Sequence, residues 1–150
     1  MIKSFQKVSN KKYKLCVATT NKDLETASII VLPGQGAAKS CMQKLANNFP
    51  RLHEHILNKP FFGICLGFQI LFEKSYEDSG VDCLSIIKGS VNDFSEQISK
   101  DLKVPHMGWN NVERKKDHTI WSNIPRKSFF YFVHSYYALA KSKEDVSSTT

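Results

Sequence analysis

The sequence lacks several features that would assign it to a specialised class of protein. No apolar run is long enough to span a membrane, and the residues after Met1 carry no signal-peptide pattern. There are four cysteines but no C-x-x-C pair, which argues against a zinc site. We therefore expect no metal, no membrane span, and reduced thiols in a cytoplasmic protein.

A dense basic run is also missing, although the net charge is +7. The Lys and Arg residues are scattered over polar positions, without the interleaved basic and aromatic residues typical of nucleic-acid binding. A solvated surface explains this charge, and an acidic partner or an anionic substrate is compatible with it. The 150 residues, 41% of them hydrophobic, suffice for one globular domain with its own core.

The stretch FFGICLGFQILFE at residues 61–73 organises the chain. Its first part predicts a buried strand, and its last part predicts a helix. Cys65 lies between them in a G-x-C-x-G sequence, which is typical of a nucleophile elbow with a thiol. Glycine is required at positions 63 and 67, because side chains there would collide with neighbouring backbone. We expect Cys65 to be a nucleophile and the Leu66 amide to face an oxyanion; a buried structural cysteine is the alternative.

A second loop rich in glycine follows another predicted strand. The apolar run SIIVL at residues 28–32 predicts a fully buried parallel strand, and PGQGA at residues 33–37 follows it directly. The two glycines allow backbone amides to approach a ligand. Because ligand sites in α/β sheets lie beyond the carboxyl ends of the strands, this loop and Cys65 are expected at one site.

Periodicity predicts the other elements. Helices are expected over residues 1–9, near 23–25, from about 42 to 48 and around 52–57, and strands over 13–18, 84–91, 104–112, 128–133 and 135–140. His53 and His55 do not share a helix face, and both are interpreted as surface residues. The pattern predicts an α/β fold with a mostly parallel, doubly wound sheet and additional antiparallel strands.

Four motifs resemble a known family: LPGQGA at residues 32–37, GICLGFQ at 63–69, PHMGWN at 105–110 and YFVHSY at 131–136. The first two are similar to motifs of class I (triad) glutamine amidotransferases, which have a flavodoxin-like fold. The last two are similar to motifs of the glutaminase subunit of imidazole glycerol phosphate synthase. The resemblance implies that glutamine is hydrolysed, without a cofactor, and that ammonia passes to a (β/α)8 cyclase subunit in histidine biosynthesis.

The same resemblance implies the residues of the catalytic centre. Cys65 matches the nucleophile, which forms a glutamyl thioester. The oxyanion hole is matched by Leu66 together with the loop residues Gly34, Gln35 and Gly36.

Further residues match the substrate site and the partner surface. Gln69 and Glu77 match positions that hold glutamine; the alternatives are an exposed helix residue and a loop carboxylate. Regions that face the cyclase are matched by His106, Trp109, Asn110 and Tyr131. Trp109 has an alternative role as a core residue.

The sequence departs from the family pattern in three ways. The family usually begins with a strand and a D-Y-G-x-G-N turn, carries its catalytic His and Glu in a Q-F-H-P-E-K-like motif, and has Val where Gln35 stands here. Neither motif occurs in these 150 residues. We therefore expect a single amidotransferase domain that is incomplete at both termini: an internal fragment, a split gene product or a decayed copy.

His134 is not assigned as the catalytic base, because the resemblance places the base in the motif that these residues lack. A site or interface histidine and an ordinary strand histidine are both open interpretations. Two alternative functions also stay open. One is a related amidotransferase that serves another synthase, for example in surface-sugar modification. The other is a non-catalytic binding remnant that docks on a cyclase. Little glutaminase activity is expected from the 150 residues alone.

Overall fold

The computed structural model describes residues 2–8, 13–96 and 103–150. The α-helices in these ranges are α1 (Ile2–Val8), α2 (Asn21–Thr26), α3 (Ala38–Asn48), α4 (Leu52–Asn58) and α5 (Leu66–Gln69). The strands are β1 (Ile30–Gly34), β2 (Phe61–Cys65), β3 (Lys74–Ser75), β4 (Val81–Asp82), β5 (Gly89–Asp93), β6 (His106–Asn111), β7 (Glu113–Arg114), β8 (Phe129–His134), β9 (Tyr136–Ala140) and β10 (Ser148–Thr149). Met1 and Ser9, at the ends of the first predicted helix, lie outside the described residues. No helix in these ranges is both long and apolar enough to cross a membrane.

Parallel and antiparallel strands occur together, which confirms the predicted α/β class. Strands β1 and β2 are parallel, in a register that begins at Ile30 opposite Phe61 and ends at Gly34 opposite Cys65. A four-stranded sheet has the order β4-β3-β5-β9, with β3 parallel to β5 and the outer pairings antiparallel. Strands β6 and β8 form an antiparallel pair, as do β7 and β10.

The main core lies where the helices of the first half pack on β1. Its buried residues are Leu24, Ile30, Ala38, Leu45, Leu52, Ile56, Leu66, Ile70 and Leu71. Helix α2 contributes Leu24 to this core and begins with a capping box. In that box the Thr20 amide donates to the Asp23 carboxylate at 2.8 Å. At its other end the Lys59 ammonium donates to the carbonyls of Leu24 and Glu25. These contacts satisfy backbone groups that a short helix leaves unpaired.

Two strand predictions in the first half need correction. Residues 13–18 are not a strand: they form no ladder with any described strand, and Val17 is 70% exposed. β-Forming side chains stabilise a strand only when a neighbour pairs with it, so propensity alone was misleading here. The strand predicted at residues 28–32 begins at Ile30 and is not fully buried, since Ile29 is half exposed and Val31 half-buried.

Three further predictions were wrong in detail. Strand β5 begins at Gly89, because the preceding apolar residues form a loop whose amides bond to the carbonyls of Ile70 and Leu71. Helix α5 ends at Gln69, and the chain continues in turns. His55 is not a surface residue: it is only 7% exposed, because it lies on the same buried side of α4 as Leu52 and Ile56.

Candidate functional site

Cys65 occupies a strained bend between β2 and α5. Its φ of 54° and ψ of −116° lie outside the regions that L-residues ordinarily adopt. Its side chain is exposed, and it is a free thiol. A non-glycine residue held in such a conformation between a strand and a helix has the geometry of a nucleophile elbow. The predicted strand–turn–helix around this residue is therefore confirmed, but the strand is not buried as expected, since Phe62 is 41% exposed.

The flanking glycines let the bend pack against its neighbours. A Cβ atom on Gly67 would overlap the carbonyl oxygen of Leu32, and one on Gly63 would overlap the carbonyl oxygen of Gly67. Both clashes involve backbone, which cannot move aside as a flexible side chain does. The prediction that these two positions require glycine is confirmed.

The loop after β1 lies beside this bend. Gly34 is the register partner of Cys65, so the two motifs occupy the same end of adjacent parallel strands. A Cβ atom on Gly34 would lie 2.7 Å from the Cβ of Leu66, which shows how closely the loop approaches the first turn of α5. Gly36 has a φ of +90°, which favours glycine. Backbone amides from both motifs can thus reach one small region.

A cleft of about 300 Å³ opens at this point. Six of the predicted site residues line it: Gln35, Gly36, Cys65, Leu66, Gln69 and Glu77. Five other residues also line it: Pro105, Val133, His134, Ser135 and Tyr136. A site role was left open for His134 from the sequence, and the other four were not assigned to a site. These five lie inside the motifs PHMGWN and YFVHSY, so the sequence signal was present but did not reveal that both segments reach the cleft.

Glu77 lines the cleft and is hydrogen-bonded to the chain just after the glycine loop. Its carboxylate accepts a hydrogen bond of 2.6 Å from the amide of Ala38, the first residue of α3. Its own amide donates to the Oγ of buried Ser75 at 3.3 Å. A carboxylate at the start of a helix accepts a hydrogen bond from an otherwise unpaired amide, and its negative charge interacts favourably with the positive end of the helix dipole. Glu77 therefore holds the chain immediately after the loop at residues 33–37.

Tyr136 adds a phenol to a carboxylate-rich side of the cleft. Burial raises the pKa of Tyr136, and the nearby carboxylates of Asp93, Glu77 and Asp78 raise it further. Hydrogen bonds from Ser95 lower the pKa of Asp93. The Tyr136 phenol is therefore neutral and able to donate a hydrogen bond at physiological pH.

The four residues predicted to face a cyclase divide between the two faces of the β6–β8 pair. Trp109 pairs with Tyr131, and their rings meet edge to face at 5.7 Å between centroids. Both are exposed, Trp109 by 70%, so the alternative that Trp109 is a core residue is wrong. His106 and Asn110 alternate with Trp109 along β6 and therefore lie on the opposite face.

His134 contributes to the cleft, but both its ring nitrogens have partners. Its Nδ1 lies 2.8 Å from the carbonyl oxygen of Tyr136, and its Nε2 lies 3.0 Å from Nδ1 of His106. The two imidazoles meet at a centroid distance of 5.0 Å. Both ring nitrogens are thus engaged in contacts within the protein, and His134 stays unassigned as the base.

Other reactive side chains are less suited to chemistry. Burial raises the pKa of Cys41 and of Cys83, so both thiols are poor nucleophiles at neutral pH. In the described ranges, no three His, Cys, Asp or Glu side chains come together as a metal site.

Several known proteins are similar to this chain in sequence. The family model "Glutamine amidotransferase class-I" matches residues 4–149. The "Imidazole glycerol phosphate synthase subunit HisH" of Hydrogenovibrio crunogenus is 41% identical over 150 residues, which cover 99% of this chain and 70% of that protein. The protein of the same name from Nitrosococcus oceani is 40% identical, with 99% and 71% covered. The one from Methylococcus capsulatus is 44% identical over 142 residues, with 88% and 64% covered.

Proposed function

This chain belongs to the class-I glutamine amidotransferases, and from that membership we propose that it acts as the glutaminase subunit of an imidazole glycerol phosphate synthase. Glutamine would be hydrolysed in the cleft at Cys65, and the ammonia would pass to a cyclase subunit for histidine biosynthesis in the cytoplasm. The observation that carries this proposal is the register of Gly34 opposite Cys65, with the thiol of a residue in a strained backbone conformation lining the cleft. The relatives named as synthase subunits support the choice of pathway.

The proposed reaction begins with attack by the Cys65 thiolate on the carboxamide carbon of glutamine. The electron pair of the carbonyl moves onto its oxygen, where the Leu66 amide and the loop at residues 34–36 would stabilise the negative charge. The proton that the thiol lost would pass to the leaving nitrogen through the base that the family resemblance places outside these 150 residues; ammonia then leaves, and a thioester to Cys65 is left behind. Water then attacks the thioester, releasing glutamate and restoring the thiol.

Two polar residues would hold the substrate. Gln69 is the last residue of α5 and is half-buried. It lines the cleft together with Glu77. A carboxamide and a carboxylate can together bind the charged α-amino and α-carboxylate groups of an amino acid. The Glu77 carboxylate also accepts from Ala38, so binding of a substrate amine there would be coupled to the position of the glycine loop.

The cyclase would bind the exposed face of the β6–β8 pair, formed by Met107, Trp109, Phe129, Tyr131 and Val133. We call this surface the exposed hairpin face. Each of its five side chains is at least 55% exposed. An apolar and aromatic patch on adjacent strands is typical of a protein interface. His106 and Asn110 lie on the other face, so we propose that they support this interface from behind.

The test is release of glutamate from glutamine by the full-length protein with its cyclase subunit and the cyclase ligand. Cys65→Ala should lower the rate by at least about 10⁴-fold, because the nucleophile is removed. Cys16→Ala, which alters another exposed thiol, is the matched control and should keep full activity. Glutamate release that responds to a different synthase would favour the alternative partner. Binding to the cyclase without any glutamate release would favour the non-catalytic remnant.

A further inference from the structure

The imidazole pair of His106 and His134, at the edge of the cleft, has a defined order of donors and acceptors. Nδ1 of His134 lies 2.8 Å from the carbonyl oxygen of Tyr136, which can only accept. In neutral His134 the proton is therefore on Nδ1, and Nε2 is an acceptor. Nε2 then accepts from Nδ1–H of His106 at 3.0 Å. The chain of hydrogen bonds runs in one direction, from His106 through His134 to the backbone of Tyr136.

This series of hydrogen bonds links β6 to the point where β8 passes into β9. His106 begins β6, and His134 is its register partner at the end of β8. Ser135 separates β8 from β9 and lines the cleft together with Tyr136. The backbone at residues 134–136 therefore changes from one sheet to another at the edge of the cleft, and the imidazole pair ties this transition to β6.

Aromatic rings fix the orientation of both imidazoles. His106 stacks on Phe132 at 5.1 Å between centroids and an angle of 17°. Phe94 lies 5.3 Å from the His134 ring and stacks on Tyr137 at 4.9 Å. Both histidines are half-buried. Because these rings limit rotation of the imidazoles, the hydrogen-bonded arrangement is held in place rather than formed by chance on a mobile surface.

We propose that His106 is a positioning residue: through His134 it holds the backbone of Ser135 and Tyr136 in the conformation that the cleft needs to bind its substrate. The inference rests on the proposed function for the identity of the substrate, glutamine. It assigns no proton transfer to either histidine. It also connects the exposed hairpin face to the cleft, since β6 carries Trp109 on one face and His106 on the other.

Two substitutions of His106 distinguish the effect of losing the hydrogen bond to His134 from the effect of simply replacing the imidazole by another polar side chain. Asn places an amide near the position of the imidazole Nδ1, so His106→Asn keeps a donor toward His134. Gln places its amide near the position of Nε2, so His106→Gln removes that donor while the residue stays polar. The KM for glutamine of the full-length protein with its cyclase should rise about 3- to 10-fold in His106→Gln, the effect of one neutral hydrogen bond. It should change less than about 2-fold in His106→Asn, with kcat near that of the parent in both.

Nuclear magnetic resonance of the same proteins tests the positioning without turnover. The ¹⁵N resonances of His134 should show a proton on Nδ1 and none on Nε2 when the ring is neutral. His106→Gln should shift the Nε2 resonance and the backbone amides of Ser135 and Tyr136, whereas His106→Asn should leave them close to the parent values. These results, together with the split in KM, would support the proposal.

The outcomes that overturn the inference differ from those that overturn the proposed function. A proton on Nε2 of His134, amides of Ser135 and Tyr136 that His106→Gln does not move, or equal KM values for the two variants would each refute the positioning role. An unsubstituted complex that releases no glutamate would instead refute the proposed function. The resonances would still decide whether the histidine pair orders the cleft.

Discussion

At the scale of single residues, Cys65 differs from the other cysteines in both exposure and backbone geometry. Cys41 and Cys83 are half-buried with raised pKa values, and Cys16 is exposed but lies outside the described helices and strands. We expect a chloroketone that mimics glutamine to alkylate Cys65 first, since this thiol lines the cleft where the mimic would bind. Peptide mass spectrometry after a limited reaction with the folded protein measures the order.

Iodoacetamide, which has no amino-acid portion, is the control for simple accessibility. It should label Cys16 and Cys65 at more similar rates, because both thiols are exposed. Faster labelling of Cys16 than of Cys65 by the glutamine mimic would contradict the assignment of Cys65 as the site thiol.

Two glycines of the site should respond differently to the same substitution. Gly67→Ala places a methyl group on the carbonyl oxygen of Leu32, whereas Gly36→Ala meets open space and only has to tolerate a φ of +90°. We expect Gly67→Ala to lower the free energy of unfolding by about 3 kcal/mol or more, since the backbone must shift. Gly36→Ala should cost about 1–2 kcal/mol. Urea denaturation of the full-length protein gives both values, and equal losses would be inconsistent with this packing.

These residues also show what sequence can reveal about a site. Cys65 and its glycines were predictable, because the requirement for a tight bend is local to five consecutive residues. Tyr136 and Ser135 were not assigned to the cleft, because their position depends on how β8 passes into β9 beside a distant bend. The burial of His55 likewise depends on tertiary packing of α4, which its spacing from His53 does not reveal.

At the scale of elements, some segments with strong periodicity or with punctuation by Gly and Pro were predicted as the right type of element. Helix α3 and strand β2 are examples, and each follows directly from its apolar pattern. The segment at residues 13–18 has the composition of a strand yet pairs with none in the described ranges. Pairing is a property of two segments, so a sequence read one window at a time cannot supply it.

The exposed hairpin face gives a prediction that belongs to an element rather than to one residue. Trp109→Ala and Tyr131→Ala should each weaken binding of the full-length protein to its cyclase by about 10- to 100-fold, because aromatic residues at the centre of an interface dominate its affinity. Their rings contact each other, so the double variant should lose less than the sum of the two effects. Isothermal titration calorimetry measures the three dissociation constants.

Leu57→Ala is the matched control for that measurement. Leu57 is also a large, exposed apolar residue, but it lies on α4, away from the hairpin. Its substitution should leave the affinity for the cyclase unchanged. If Leu57→Ala weakened binding as much as Trp109→Ala, the hairpin face would not be the specific docking surface.

At the scale of the whole molecule, Glu73 joins segments that are far apart in sequence. One carboxylate oxygen accepts from the Lys141 ammonium and from the Gly89 amide, each at 2.9 Å, and the other accepts from Lys88 at 3.2 Å. The hydrogen bond from Lys141, followed by those from Gly89 and Lys88, lowers the pKa of Glu73 from 4.5 to about 2. This carboxylate therefore ties the turn after α5 to β5 and to the end of β9.

The shift in pKa makes stability depend on pH. The folded protein binds this proton more weakly than the unfolded chain, so the stabilisation is fully present above pH 4.5 and is lost as the pH falls toward about 2. We expect Glu73→Gln to be less stable than the parent at pH 6 and to lose less stability between pH 5 and pH 2.5. Urea midpoints across that range test the prediction. Parallel pH profiles for the two proteins would show that Glu73 does not contribute as proposed.

The strained bend at Cys65 places the requirements of catalysis in conflict with those of folding stability. A φ of 54° with a ψ of −116° costs an L-residue about 1–3 kcal/mol, a cost that glycine avoids. Cys65→Gly should thus abolish glutamate release and yet unfold at an equal or higher urea concentration, even though glycine adds disorder to the unfolded chain. Selection for folding alone would replace this thiol. A midpoint clearly below that of the parent would show that the bend imposes no such conflict between activity and stability.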